Sequence, residues 1–227
     1  MTTTKKNNTY KMKTILQIFL WIVSIVLGYM IYNSVNGPIE FKKIKQERFA
    51  KVISNLKDIR NSQEAYKTVN GRYAKDFNAL VSFVDTGYYT ITQQRDSSYL
   101  EYDKNFGIDM LKEVKIIDTL GRVSVKDSLF KKDDRFKTMM NVPYAAKGEK
   151  FEMKSSILEK SGYKAPVFEA KVSKDVVLHD QPKTLLAREN TQINVDEVNG
   201  NVIKVGSLTE VSTSGNWPSI YDKRNDQ

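Results

Sequence analysis

The chain has 227 residues, 36 Lys or Arg against 27 Asp or Glu, a net charge of +9, one His and no Cys. Lack of Cys excludes a disulfide framework, thiolate catalysis and any zinc or iron–sulfur site built on Cys. The charge is no nucleic-acid signature either: residues 1–60 hold 11 basic against three acidic residues and the rest of the chain is nearly neutral, whereas phosphate binding needs concentrated positive charge.

Residues 1–13 are polar and expected to form an unfolded tail, with Lys11 and Lys13 at its end. Residues 14–39 then carry no Asp, Glu, Lys or Arg. About 20 apolar residues suffice to cross a hydrocarbon core about 30 Å thick, so a transmembrane helix is expected over residues 14–35. The apolar run is too long for the h-region of a signal peptide, and no small-x-small site follows it before Glu40, so the anchor is expected to be retained. Basic residues flank both sides, with Lys42, Lys43, Lys45, Arg48 and Lys51 after the span. The positive-inside rule alone therefore leaves the orientation open. Lys11, Lys13, Lys42, Lys43, Lys45 and Arg48 are the residues expected to meet anionic lipid headgroups. Within the span Gln17, Trp21, Ser24, Gly28 and Ile31 share one helical face, and Ser24-x-x-x-Gly28 is a small-xxx-small pair. Such a pair admits a partner helix at close range, so Gln17, Trp21, Ser24 and Gly28 form the expected helix-packing interface with other membrane proteins.

Asn36-Gly37-Pro38 reads as a short break, with Pro38 in the first turn of a new helix over residues 38–69. Phe41, Ile44, Phe49, Val52, Ile53, Leu56, Ile59, Gln63 and Tyr66 recur at helical spacing, and Asn70-Gly71 supplies a left-handed stop. Asp76 is placed to cap a short helix over residues 77–84. Residues 114–117 and 123–125 are expected to form a hairpin around Thr119-Leu120-Gly121-Arg122. Residues 131–134 read as a solvated loop and residues 143–149 as a subdomain boundary. Beyond it strands are expected at 151–158, 167–173, 175–178, 193–198, 202–205 and 208–212, with Asn199-Gly200 as a hairpin turn. Residues 184–188 fit either helix or strand, and residues 219–227 read as a frayed tail.

No residue is nominated for catalysis, cofactor or metal. His179 has only Asp175 and Asp180 nearby in sequence and reads as a surface residue. Residues 103–109 echo the start of a calcium loop, but Gly107 stands where an Asp or Asn is needed. No phosphate-binding loop, dinucleotide fingerprint or Gly-x-Ser-x-Gly occurs. Tyr88, Tyr89, Tyr99, Tyr102 and Phe106 are dense in a polar stretch, which suits sheet packing or an exposed binding surface.

The run from Ile59 through Ala65-Tyr66, Asn70-Gly71-Arg72-Tyr73 and Asp76-Phe77-Asn78-Ala79-Leu80, behind a membrane helix, resembles type IV pilins and type II secretion pseudopilins over about residues 14–90. That resemblance implies a long helix packed on an antiparallel sheet, held at the inner (cytoplasmic) membrane with its N-terminus inside and its head outside the cytoplasm. The family's leader-peptidase site has a Gly ahead of the apolar segment; this sequence has no Gly before residue 28. Processing by that route is not expected.

The expected architecture is α+β: tail 1–13, transmembrane helix 14–35, a pilin-like domain over 36–145, a β-rich subdomain over 146–218, and a tail. The expected function is non-enzymatic, a membrane-anchored structural or adaptor subunit of a cell-envelope complex such as a secretion or motility apparatus. No cofactor, nucleic acid or small-molecule substrate is expected. The alternatives are an accessory subunit of an ion-driven inner-membrane motor energising outer-membrane transport, and a membrane-anchored ligand-binding domain or hydrolase.

Overall fold

The computed structural model describes residues 3–104, 106–131, 133–160, 162–194 and 196–222, with side chains from residue 13 onward. Helix α1 (Thr3–Asn70) runs unbroken for 68 residues, about 100 Å of helix. The break expected at Asn36-Gly37-Pro38 does not occur, and Pro38 lies inside the helix. Its ring holds φ near the helical value and removes a single N–H, so one backbone bond is lost while the helix continues. The described part of the N-terminal tail is helical as well, where an unfolded lead-in was expected.

The two halves of α1 differ in surroundings. The apolar window of the first half is 0% buried and long enough to cross a membrane, which is compatible with a single-pass anchor. In the second half Phe49, Val52, Ile53, Leu56 and Ile59 are fully enclosed, and each such side chain contributes about 1.5–3 kcal/mol by leaving water. The helix stops at Gly71, whose φ of +70° suits glycine and whose N–H bonds the Lys67 carbonyl at 2.7 Å. Helix α2 (Phe77–Thr86) follows, capped as expected by Asp76, whose carboxylate accepts the Ala79 N–H at 2.8 Å.

Strands β1 (Tyr88–Asp103) and β2 (Ile108–Ser124) form a two-stranded sheet, a long antiparallel ribbon. The hairpin turn is therefore not at Thr119–Arg122. Register slips between Ile91 and Thr92, which face Gly121 and Thr119, so Leu120 is the extra residue of a bulge within β2. The reversal comes instead at residues 104–107, where Gly107 has φ +66° and donates to the Asp103 carbonyl at 2.8 Å.

Helix α3 (Val125–Phe130) returns the chain to the core. A three-stranded antiparallel sheet follows, with β4 (Tyr163–Ser173) between β3 (Glu152–Lys160) and β5 (Val202–Gly206). Between β4 and β5 lie α4 (Lys174–Val177) and α5 (Lys183–Asn190). Residues 175–178, expected as strand, thus belong mostly to a helical turn capped by Ser173. The described residues of 193–198 and 208–212 form no strand, and Asn199-Gly200 turns the chain into β5 rather than closing a hairpin. At the C-terminal end Tyr221 is buried and Lys57 donates to its carbonyl at 2.7 Å, so residues 219–222 dock on α1 instead of fraying.

The head has one core. Phe49, Leu56 and Ile59 of α1, Leu80 and Val84 of α2, Phe130 and Phe136, Phe168 and Ala170 of β4, and Ile203 of β5 belong to a single cluster. Residues on both sides of 143–149 contribute to it, so this loop is no boundary between separate cores. The architecture is α+β, with a long, initially apolar helix and antiparallel sheets.

Candidate functional site

The sequence singles out the junction where α1 leaves its apolar half, and chemistry is concentrated there. Lys45, expected at the membrane surface, instead points into the head. Its ammonium donates to Glu189 Oε2 and Glu197 Oε2, both at 2.8 Å. Glu189 Oε1 accepts from Lys174 Nζ at 2.8 Å, and Lys174 also donates to the carbonyls of Glu189 at 3.2 Å and Val198 at 2.7 Å. Lys174 is fully buried, with its ammonium 5.7 Å from the centre of the Phe49 ring. One buried carboxylate thus bridges two buried ammonium groups, which is tolerable only because every charge is paired and hydrogen-bonded. The network ties α1 to α4, α5 and the 191–199 loop.

Arg48 is occupied too. Its guanidinium grips Asp180 in a two-pronged pair at 2.5 and 2.7 Å, donates to the Val177 carbonyl at 2.9 Å and lies 5.3 Å from the Tyr144 ring centre. The Arg48 hydrogen bonds hold the Asp180 carboxyl well below the usual carboxylate range. Lys45 and Arg48 are therefore withdrawn from any headgroup contact, because internal carboxylates claim them. Lys13, Lys42 and Lys43 are exposed, and the Lys11 side chain lies outside the described residues.

Beside this network is a cleft of about 540 Å³ lined by Pro38, Phe41, Lys42, Leu185 and Arg188 together with the network's Lys45, Glu189 and Glu197. Lys42 and Arg188 are exposed cations on it. A second groove of about 610 Å³, lined mainly by apolar surface of Tyr29, Met30, Pro38, Pro182 and Leu185, adjoins it through Pro38 and Leu185. Cations next to an apolar slot, at the level where the apolar helix ends, suit a molecule with an anionic head and a hydrocarbon tail.

Gln17, Trp21, Ser24 and Gly28 are all exposed on the first half of α1. A Cβ placed on Gly28 meets nothing within 4 Å, so nothing inside this chain requires glycine there. His179 is exposed, with Nδ1 3.3 Å from the Val176 carbonyl, and its neighbour Asp180 is held by Arg48. Among the described residues no group of three or more His, Asp or Glu is placed to hold a metal. The calcium-like stretch is the ribbon's turn, and Asn105 within it lies outside the described residues.

Sequence reasoning missed Lys174, Glu189 and Glu197, and placed Asp180 beside His179 rather than under Arg48. Lys174 lies between Ser173 and Asp175 and so carries no local signal of burial, and its carboxylate partner Glu189 comes from a separate helix. Comparison with protein-family models, with curated proteins and with solved structures returned no match.

Proposed function

We propose that this protein is a non-enzymatic, single-pass structural or adaptor subunit of a cell-envelope assembly of the secretion or motility kind. The observation that carries this reading is the unbroken helix, which enters the head's core with no linker between apolar segment and head. A tether for an independent enzyme needs no such rigidity, since a flexible linker serves it. In this reading the anchor sits in the cytoplasmic membrane, the N-terminus is inside, the head is outside the cytoplasm, and Gln17, Trp21, Ser24 and Gly28 receive a partner helix. Lys13, Lys42, Lys43 and Arg188 meet anionic headgroups.

The test is a photo-crosslinking residue placed in the full chain in its native membranes, at Ser24 or at Ile25 on another face. A discrete adduct with another membrane protein from Ser24, and none from Ile25, is the expected result. Lipid adducts alone from both positions overturn the adaptor role of the helix.

A further inference from the structure

Among the described residues no further strand pairs with the ribbon, so β2 offers an open edge along its length. A two-stranded ribbon is marginal by itself, and an open edge is a template for another strand. We infer that β2 pairs antiparallel with β2 of a second copy of this chain, about a two-fold axis through Val114, which joins two ribbons into a four-stranded sheet. The inference is independent of the role proposed above.

The side-chain pattern of β2 selects this occupant. Leu111, Glu113, Lys115 and Ile117 alternate along the strand and share a face. Leu111 and Ile117 are each 64% exposed, and Glu113 and Lys115 are exposed too. Charges on the opposite face are already satisfied within the ribbon, Arg95 by Asp118 at 3.0 Å and Lys112 by Glu101 at 2.6 Å. Glu113 and Lys115 form no ion pair among the described residues, although Asp96 stands opposite Lys115 in register.

About an axis through Val114, Leu111 faces Ile117 of the second copy and Glu113 faces Lys115 of the second copy. Symmetry makes each pair twice, while Val114 faces itself. Directly opposed side chains in an antiparallel pair have Cβ atoms about 4.5–5.5 Å apart, close enough for apolar and opposite-charge pairs to stabilise and like charges to repel. Moving the axis one residue along sets Lys115 on Lys115, and one residue back sets Glu113 on Glu113. One register is therefore favoured over both neighbours. The bulge at Leu120 ends the pairing beyond Thr119. Residues 88–124 carry five basic and six acidic residues, so two ribbons approach without strong mutual repulsion.

Absence of Cys allows a direct test with single-cysteine variants of the full chain in detergent. Opposed Cα atoms in an antiparallel pair lie within disulfide range. Val114→Cys should cross-link to itself under mild oxidation, Leu111→Cys should not, and a mixture of Leu111→Cys with Ile117→Cys should. Glu113→Lys and Lys115→Glu should each weaken association about tenfold by setting like charges opposite twice. Mixing those two variants should restore it, which also shows that both are folded. Cross-linking of Val114→Cys no faster than that of Thr90→Cys on β1, or a mixture of the charge variants no tighter than either alone, overturns the inference.

Discussion

The side chain of Gln63 pairs with both backbone groups of Ala74, its Oε1 accepting the Ala74 N–H at 2.8 Å and its Nε2 donating to the Ala74 carbonyl at 3.1 Å. Both residues are buried, so this carboxamide substitutes for a strand partner and fastens the 71–76 turn to α1. Gln63→Ala leaves two buried backbone groups unpaired and should destabilise the head by about 2–4 kcal/mol. Gln63→Glu keeps the acceptor and loses the donor, and should fall between. Urea unfolding followed by tryptophan fluorescence measures both; equal stability of Gln63→Ala and the parent chain would show the turn to be held by other contacts.

Glu189 is the shared carboxylate of two buried lysines, so its loss differs in kind from the loss of Glu197. Glu189→Ala leaves Lys45 with Glu197 but takes from the fully buried Lys174 its one carboxylate partner among the described residues, and should cost about 3–5 kcal/mol. Glu197→Ala leaves Lys45 with Glu189 and should cost about 1 kcal/mol or less. The double variant Glu189→Ala with Lys174→Met should recover part of the larger loss. Thermal melts of the four chains decide it, and comparable losses from the two single substitutions would contradict the shared role of Glu189.

Asp180 is the basis of a pH dependence. Its carboxyl titrates below its ordinary range in the fold because Arg48 donates to it. The stabilisation is therefore fully present above the unfolded value, about pH 4, and is lost as pH falls toward the folded value. Half-exposure of the carboxylate limits the effect, so Asp180→Asn should destabilise by on the order of 1 kcal/mol at pH 7. The gap between parent and variant should narrow by pH 2.5. Denaturation midpoints at the two pH values provide the check, and a gap that widens in acid is the contrary result.

The ends of the ribbon meet at its base, where the Val125 N–H bonds the Gly87 carbonyl at 3.0 Å. Among the described hydrophobic residues of the ribbon, Tyr89 alone packs against the core cluster. Replacing residues 91–121 by a two-residue Asn-Gly turn should therefore leave the melting temperature of the head within a few degrees of the parent, since surface changes away from the core are usually within about 0.5 kcal/mol. Circular dichroism melts test this. Collapse of the head on excision would mean that the ribbon contributes to folding.

Sequence signals hold where the physics is local. The apolar stripe from Phe49 to Ile59, the Asp76 cap and the Gly71 stop all stand as expected. Gly121 shows how a local signal misleads: a glycine between apolar strands reads as a turn, yet here it sits beside a bulge because Ile91 and Thr92 on the partner strand set the register. The ribbon itself was illegible as a long strand pair, since neither face is buried and its charges and apolar residues follow no clear alternation. The burial of Lys45 is hidden from the sequence for a related reason. Its sequence neighbours are basic and near the span, and only the fold brings Glu189, 144 residues away, to its ammonium.

Continuity of α1 fixes an angle as well as a distance. Each residue of a helix advances the azimuth by about 100°, so with no break between Ser24 and Phe49 the direction in which the head faces is locked in phase to the Gln17–Gly28 face. A single residue inserted between them would swing the head about a quarter-turn around the helix axis, whereas seven would return it to within about 20°. Indels in this stretch are therefore rotations, and whatever docks on the exposed half of the helix also sets the bearing of the ribbon.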